Sequence, residues 1–158
     1  MDPQIAFAAK EEILRNIIKM HARILVSGWE GTGKTVATLK STRGLWDVYY
    51  YTESGIDAQP NISKYNDSAT VLHNVRDFDS VKSEQPLLIV DDINNISKDA
   101  LDVIIKMLSE NRQDRKIVLT ARTLMDADTL LSLVDAVVRL KQDTAEIMFS
   151  SLKNIDNL

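Results

Sequence analysis

The sequence predicts an α/β domain of three layers: a mostly parallel central sheet with helices on both faces, and a C-terminal antiparallel hairpin at one edge. Two observations indicate this fold. Short apolar or β-branched runs, which are typical of buried strands, alternate along the chain with segments of helical period. The last two runs are joined by a short turn at Gln142-Asp143-Thr144, which favours a hairpin over a crossover.

The predicted strands share a high content of apolar, aromatic and β-branched residues. They cover residues 23–27, 47–52, 87–90, 116–120, 136–140 and 145–152. The polar stretch 55–67, which contains Pro60, is expected to be a loop.

Helix start and stop signals lie between these strands. Asp2 and Pro3 predict a helix over residues 1–20, because Asp is favoured at the N-cap and Pro at the first helical position. A second helix is expected from Thr35 to about residue 43, ending at Gly44. Ser97 is expected to cap a third helix, and a short fourth helix is expected at 126–133. The third helix has apolar residues at the i, i+3, i+4, i+7 spacing: Leu101, Ile104, Ile105 and Leu108.

Composition restricts the class of protein. With 158 residues, the chain is expected to form one domain over 1–158: an N-terminal helix (1–20), a core (23–153) and no lid domain. The absence of cysteine excludes disulfides and thiolate metal sites. Apolar runs of at most four or five residues, and two glutamates within 1–20, argue against a membrane span or a signal peptide. A cytoplasmic, or intracellular viral, location is expected. The net charge of −4 gives no general footprint for nucleic acid, although a local basic patch stays open.

A glycine-rich segment follows the first strand and opens the second helix. It reads Gly28-Trp29-Glu30-Gly31-Thr32-Gly33-Lys34-Thr35 and matches GxxxxGK(S/T), the P-loop pattern that cradles phosphates with backbone N–H groups. We expect these eight residues and Val36 to bind nucleotide. Lys34 is expected to reach the β- and γ-phosphates, and the Thr35 hydroxyl to ligate Mg²⁺. Trp29 either packs on the outer face of the loop or stacks on a partner or a base.

Acidic and polar residues end three other strands. Leu87–Val90 is followed by Asp91 and Asp92, and resembles a Walker B element in which Asp91 holds Mg²⁺ through a water. Glu53 and Thr120 fall at strand ends as well. Because ligands bind at the carboxyl ends of parallel strands, Asp91, Glu53 and Thr120 are expected at the same edge of the sheet as the P-loop.

The whole layout resembles the RecA-like and AAA+ branch of P-loop ATPases, since a guanine-reading NKxD element and a DxxG switch are missing. The stretch 48–53 is similar to the RecA-like strand that ends in a general-base glutamate, here Glu53. The stretches 135–140 and 147–154 resemble the terminal hairpin of recombinase, KaiC and phage ATPase domains. In that hairpin Lys153 would reach a neighbouring subunit's nucleotide, but the accompanying arginine is missing.

A competing resemblance is to AAA+ and STAND ATPases. Residues 87–93 are similar to their acid-ending strand, with Asp92 in place of the usual glutamate, and 116–122 to their sensor strand, with Thr120 facing the γ-phosphate. Both resemblances cover about residues 23–153. We favour the RecA-like one, because the hairpin and Glu53 agree with each other.

These resemblances imply an ATP- and Mg²⁺-dependent domain that hydrolyses ATP slowly. Lys34, Glu53, Asp92 and Thr120 are the expected catalytic residues. Arg122 or Lys153 could act on a neighbouring subunit's nucleotide, which would require a homo-oligomer. The alternative is a nucleotide-binding switch or scaffold with little or no hydrolysis. A DNA or protein partner stays open.

Overall fold

The computed structural model describes residues 3–29, 33–53, 59–110, 112–123, 125–142 and 144–150. The helices are α1 (Pro3–Met20), α2 (Lys34–Thr42), α3 (Gln59–Tyr65) and α4 (Lys98–Ser109). The strands are β1 (Arg23–Ser27), β2 (Asp47–Thr52), β3 (Thr70–Val71), β4 (Pro86–Asp91), β5 (Lys116–Ala121), β6 (Ala136–Leu140) and β7 (Ala145–Ser150). Short 3-10 helices occupy Val75–Ser80, Ile93–Asn95 and Met125–Leu133.

The strands form one sheet in the order β3-β2-β4-β5-β1-β6-β7. All neighbours are parallel except β6 and β7, which pair antiparallel at one edge with an irregularity between Val137 and Val138. The predicted α/β fold, with its mostly parallel sheet and terminal hairpin, is therefore confirmed. In this order β5 lies between β1 and β4, so the strand that precedes the glycine-rich loop and the strand that ends in Asp91 are not direct neighbours.

Two apolar cores cover the two faces of the sheet. One contains Ile104 and Leu108 of α4 together with Leu88 and Val90 of β4. The other contains residues of α1 and α2 together with Leu87 and Ile89 of the same strand. Alternate residues of a strand point to opposite faces, so each strand of the centre supplies both cores. We call these the α4 face and the α2 face of the sheet.

The described structure corrects the interpretation of 55–67 as a loop, because α3 covers Gln59–Tyr65. Pro60 lies in the first turn of α3, where a missing N–H breaks no helical hydrogen bond, and Ile62 is buried in the α2-face core. Strand β3, which pairs with Tyr49 and Tyr50, and the 3-10 helix Val75–Ser80 were not expected. The helix expected at 126–133 is a 3-10 helix.

Other boundaries agree with the sequence. Ser97 caps α4, and its hydroxyl accepts from the Ala100 N–H at 3.3 Å. Gly44, with φ +80°, follows α2 closely in the left-handed conformation that glycine adopts without penalty. Asp2 and the end of the strand predicted to reach residue 152 lie outside the described residues. Among the described helices, none combines the length and the apolar character needed to cross a bilayer.

Candidate functional site

The glycine-rich loop connects β1 to α2 at the carboxyl edge of the sheet. The Gly28 N–H donates to the Ala121 carbonyl at 3.1 Å, which fixes the start of the loop against the end of β5. Gly33 precedes α2 with φ 79°, a left-handed conformation that disfavours any side chain. Glu30, Gly31 and Thr32 lie outside the described residues, so their expected contacts with nucleotide stay predictions.

Lys34 is the first residue of α2 and turns back over the loop. Its ammonium donates to the Gly28 carbonyl and, at 3.3 Å, to the Trp29 carbonyl. Phosphate oxygens are themselves charged and would therefore bind the same ammonium more strongly than these neutral carbonyl oxygens do. Val36 is half-buried in the first turn of α2. Trp29 is 73% exposed, so most of its surface does not pack against the described part of the loop.

Asp91, at the end of β4, is the centre of the polar contacts. Its Oδ2 accepts from the Thr35 hydroxyl at 2.8 Å and from the Tyr50 hydroxyl. Its Oδ1 accepts from the Thr120 hydroxyl at 2.5 Å. Asp91 is only 9% exposed, and three hydroxyl donors compensate the burial of its carboxylate. Burial, reinforced by the Asp91 charge and hydrogen bond, raises the pKa of Tyr50, so this hydroxyl keeps its proton and donates.

Thr120 joins the two acids. Its hydroxyl donates to Asp91 and accepts from the Asp92 N–H at 2.7 Å. Asp92 itself has a left-handed backbone with φ 62°, and its Oδ2 accepts from the Asn95 amide at 2.6 Å. Thr120 therefore lies where its hydroxyl holds the end of β4. Its expected role facing a γ-phosphate stays a prediction.

Glu53 lies one residue beyond Thr52, which pairs with Asp91, and so belongs to the other face of the sheet. Its carboxylate accepts from the Tyr51 hydroxyl, from the Ser97 N–H at 2.6 Å and from the Ser97 hydroxyl at 3.1 Å. Burial raises the pKa of Glu53, but these hydrogen bonds together outweigh it and lower the pKa below its ordinary value. The structure thus joins Glu53 to the start of α4, and does not bring it into the Asp91 cluster.

The two candidates for action on a neighbouring subunit are placed only in part. The Arg122 N–H, just after β5, donates to the Asn94 side chain at 3.0 Å. Lys153 lies outside the described residues. The role of either residue in a second subunit stays a prediction.

The donor set at Asp91 fits magnesium. Mg²⁺ prefers oxygen ligands and uses one or two carboxylates plus substrate phosphates. The Thr35 hydroxyl donates its proton to Asp91, and the lone pairs of its oxygen give that atom the capacity to ligate a cation. A carboxylate offers about four acceptor positions, of which three are used here, so Asp91 retains capacity for one further donor. In the described part of the chain, no group of three or more His, Asp or Glu side chains forms a metal site.

Tyr50 is the contact that sequence reasoning missed. It lies in an aromatic run, Tyr49-Tyr50-Tyr51, where any of the three could be core. Only the pairing of Tyr50 with Ile89 places its side chain on the face of Asp91. That pairing is long-range and has no local signal.

Comparison with known proteins finds a shared fold. No protein-family model and no curated protein sequence matches the chain. Among solved structures, a protein of Pyrococcus horikoshii OT3 has a TM-score of 0.61 at 11% identity, over 92% of this chain and 95% of that one. A DNA polymerase III gamma-subunit-related protein of Thermotoga maritima has a TM-score of 0.55 at 20% identity, over 84% of this chain and 46% of that one. The chain thus spans just under half of the Thermotoga protein. At these identities the likeness shows a shared α/β fold and no more.

Proposed function

We propose that this domain binds ATP with magnesium at the loop 28–35 and hydrolyses it slowly. The observation that carries the proposal is the hydrogen bond between Thr35, at the start of α2, and Asp91, at the end of β4. This bond joins two residues, 56 positions apart, that a P-loop nucleotide site requires side by side. The RecA-like and AAA+ assignments both stay open within this proposal.

The chain's own groups would receive the phosphates in two ways. The amino-terminal end of α2 would present its first N–H groups and the positive end of the helix dipole to an anion. Lys34 would exchange its bonds to the Gly28 and Trp29 carbonyls for bonds to phosphate oxygens. Magnesium, held by Thr35 and through water by Asp91, would supply neutralisation of the charge on the phosphates.

Slow hydrolysis is proposed because both candidate bases already accept strong hydrogen bonds. Glu53 accepts from Tyr51 and Ser97, and a lowered pKa makes its carboxylate a weak base. Asp92 accepts from the Asn95 amide. A cation from a second copy of the chain, Arg122 or Lys153, would accelerate hydrolysis, and this part of the proposal requires a homo-oligomer.

The experiment compares wild type with Lys34→Ala and with Lys40→Ala, which removes a lysine from the same helix outside the loop. ATP affinity is measured by calorimetry and by Trp29 fluorescence, and turnover by phosphate release. We expect Lys34→Ala to weaken ATP binding and abolish phosphate release, while Lys40→Ala leaves both unchanged. Equal phosphate release by wild type and Lys34→Ala would show that the hydrolysis does not occur at this loop.

The second candidate function is a nucleotide-binding switch without turnover. It is favoured by the same observation that predicts slow hydrolysis, namely the engagement of Glu53 and Asp92 in the fold. Tight ATP binding without phosphate release, at every protein concentration tested, would select the switch. A rate that rises with protein concentration would instead select an ATPase completed by a second copy.

A DNA-linked assembly is a proposal about the partner. The Thermotoga relative carries a name that connects it with DNA polymerase III. For this chain the net charge of −4 disfavours extensive phosphate contacts. Phosphate release measured with single-stranded and duplex DNA tests the point, and a flat response removes DNA as the activating partner.

A further inference from the structure

Tyr50 contributes a buried hydroxyl to the Asp91 cluster. We infer that Tyr50 is a positioning residue that holds the Asp91 carboxylate for magnesium and so sets the magnesium dependence of nucleotide binding. The inference rests on the proposed function of the loop. It adds a residue from β2, a strand that supplies nothing to the glycine-rich motif itself.

The geometry places Tyr50 beneath the acid, on the α2 face. Tyr50 is 3% exposed and pairs with Ile89, two residues before Asp91 on the neighbouring strand. Its side chain therefore runs along the sheet toward the carboxyl edge, and its hydroxyl donates to Asp91 Oδ2. The ring is enclosed in the α2-face core, which limits its movement.

Two sheet residues fix the carboxylate independently of the loop. The Thr120 hydroxyl oxygen accepts from the Asp92 N–H, and its single proton is donated to Asp91 Oδ1. Tyr50 holds the other oxygen, Oδ2. Each oxygen of the Asp91 carboxylate thus accepts from one residue of the sheet. These two bonds orient the carboxylate without any contribution from the loop. Thr35 is the third donor and comes from α2, so it is the one that can adjust when its oxygen ligates a cation.

Loss of the Tyr50 hydroxyl should weaken the binding of magnesium and leave the binding of the phosphates unchanged. Partners that orient a metal ligand change metal affinity about 10–100-fold when they are removed. The phosphates would be held by Lys34 and the loop backbone, and none of these groups contacts Tyr50 through a described hydrogen bond. The expected signature is a smaller affinity gain from magnesium, with unchanged affinity for ATP in its absence.

Tyr50→Phe tests this, because it removes the hydroxyl and keeps the ring. Tyr51→Phe is the matched control, since it also removes a hydroxyl that donates to a carboxylate, but on the α4 face. ATP affinity is measured by calorimetry in Mg²⁺ and in EDTA. We expect the Mg²⁺-dependent gain to fall about tenfold or more in Tyr50→Phe, and to equal the wild-type gain in Tyr51→Phe.

The outcomes separate this inference from the proposed function. A wild-type protein that binds no ATP removes the proposed function, and the inference with it. A wild-type protein with a Mg²⁺-dependent gain that Tyr50→Phe retains in full overturns the inference alone. If Tyr50→Phe loses ATP affinity equally in Mg²⁺ and in EDTA, the role of Tyr50 is merely structural, and the inference is again overturned. An Asp91→Asn background provides the second measurement, in which adding Tyr50→Phe should reduce the Mg²⁺ gain no further.

Discussion

Glu53 is the residue for which sequence and structure suggest different roles, and replacing it separates them. The sequence resemblance makes Glu53 a general base, whereas its contacts make it an anchor for the start of α4. We predict that Glu53→Gln keeps phosphate release within about tenfold of wild type. A positioned base would contribute about 10²–10⁴-fold.

The stability loss follows from the three hydrogen bonds that the carboxylate accepts. A hydrogen bond to a charged group contributes about 1.5–3 kcal/mol when it is shielded, and less here because Glu53 is partly exposed. We therefore expect Glu53→Ala to lower the free energy of unfolding by about 1–2 kcal/mol. For a domain of this size each kcal/mol shifts the melting temperature by about 2–4 °C, so a fall of about 2–8 °C is expected. Glu53→Gln retains a carbonyl acceptor, so its free energy of unfolding should fall less than that of Glu53→Ala.

The pH dependence of this stability provides an independent check. The folded-state pKa of Glu53 is lowered from its ordinary value of 4.5, so the folded protein favours the ionised form. Its contribution is therefore fully present above pH 4.5 and is lost as the pH falls through the folded-state pKa. The difference in melting temperature between wild type and Glu53→Gln should shrink over that range.

Thermal melts and phosphate-release assays on the same preparations decide the question. The anchoring role predicts a lower melting temperature with most of the turnover retained. Turnover reduced more than about 100-fold in Glu53→Gln, with an unchanged melting temperature, would refute it and restore Glu53 as the base.

Two further predictions concern buried polar groups. Thr120 is fully buried, and Thr120→Val keeps the shape of its side chain. The substitution leaves Asp91 Oδ1 and the Asp92 N–H without the hydroxyl that each of them bonds. Urea denaturation should show a loss of about 1–3 kcal/mol, which Thr120→Ser largely avoids; equal midpoints for wild type and Thr120→Val would contradict this. Burial lowers the pKa of His21 below 6.5, opposed by Asp135 and assisted by Lys116, so the unfolded chain takes up the proton first. Stability is then complete above pH 6.5 and falls below it. His21→Asn should remove that fall in a melting-temperature series, with His73→Asn at an exposed site as control; a fall that persists in His21→Asn would assign it to another group.

The elements that sequence reasoning found are those with a local signal. Strand β1, the start of α2 and the acid that ends β4 are each defined by adjacent residues, and the rule for parallel sheets places them at one edge. Helix α3 was missed because it is mostly polar, and its link to the core through Ile62 is not visible locally. The face of Glu53 depends on the pairing of Thr52 with Asp91, which joins residues 39 positions apart. A single step of register would have moved Glu53 to the other face.

The departure at Asp92 from the glutamate of the resembled families has a local physical reason. The chain leaves β4 at this residue with φ 62°, a left-handed conformation that short acids and amides tolerate better than long side chains. The short side chain then bonds the Asn95 amide within the following turn, while its N–H is held by Thr120. An aspartate therefore satisfies the turn, whereas the longer arm of a glutamate would extend past it. The turn that follows Asp91 thus also engages the carboxylate of Asp92 with the Asn95 side chain, and under the proposed function this engagement is the physical reason to expect slow hydrolysis.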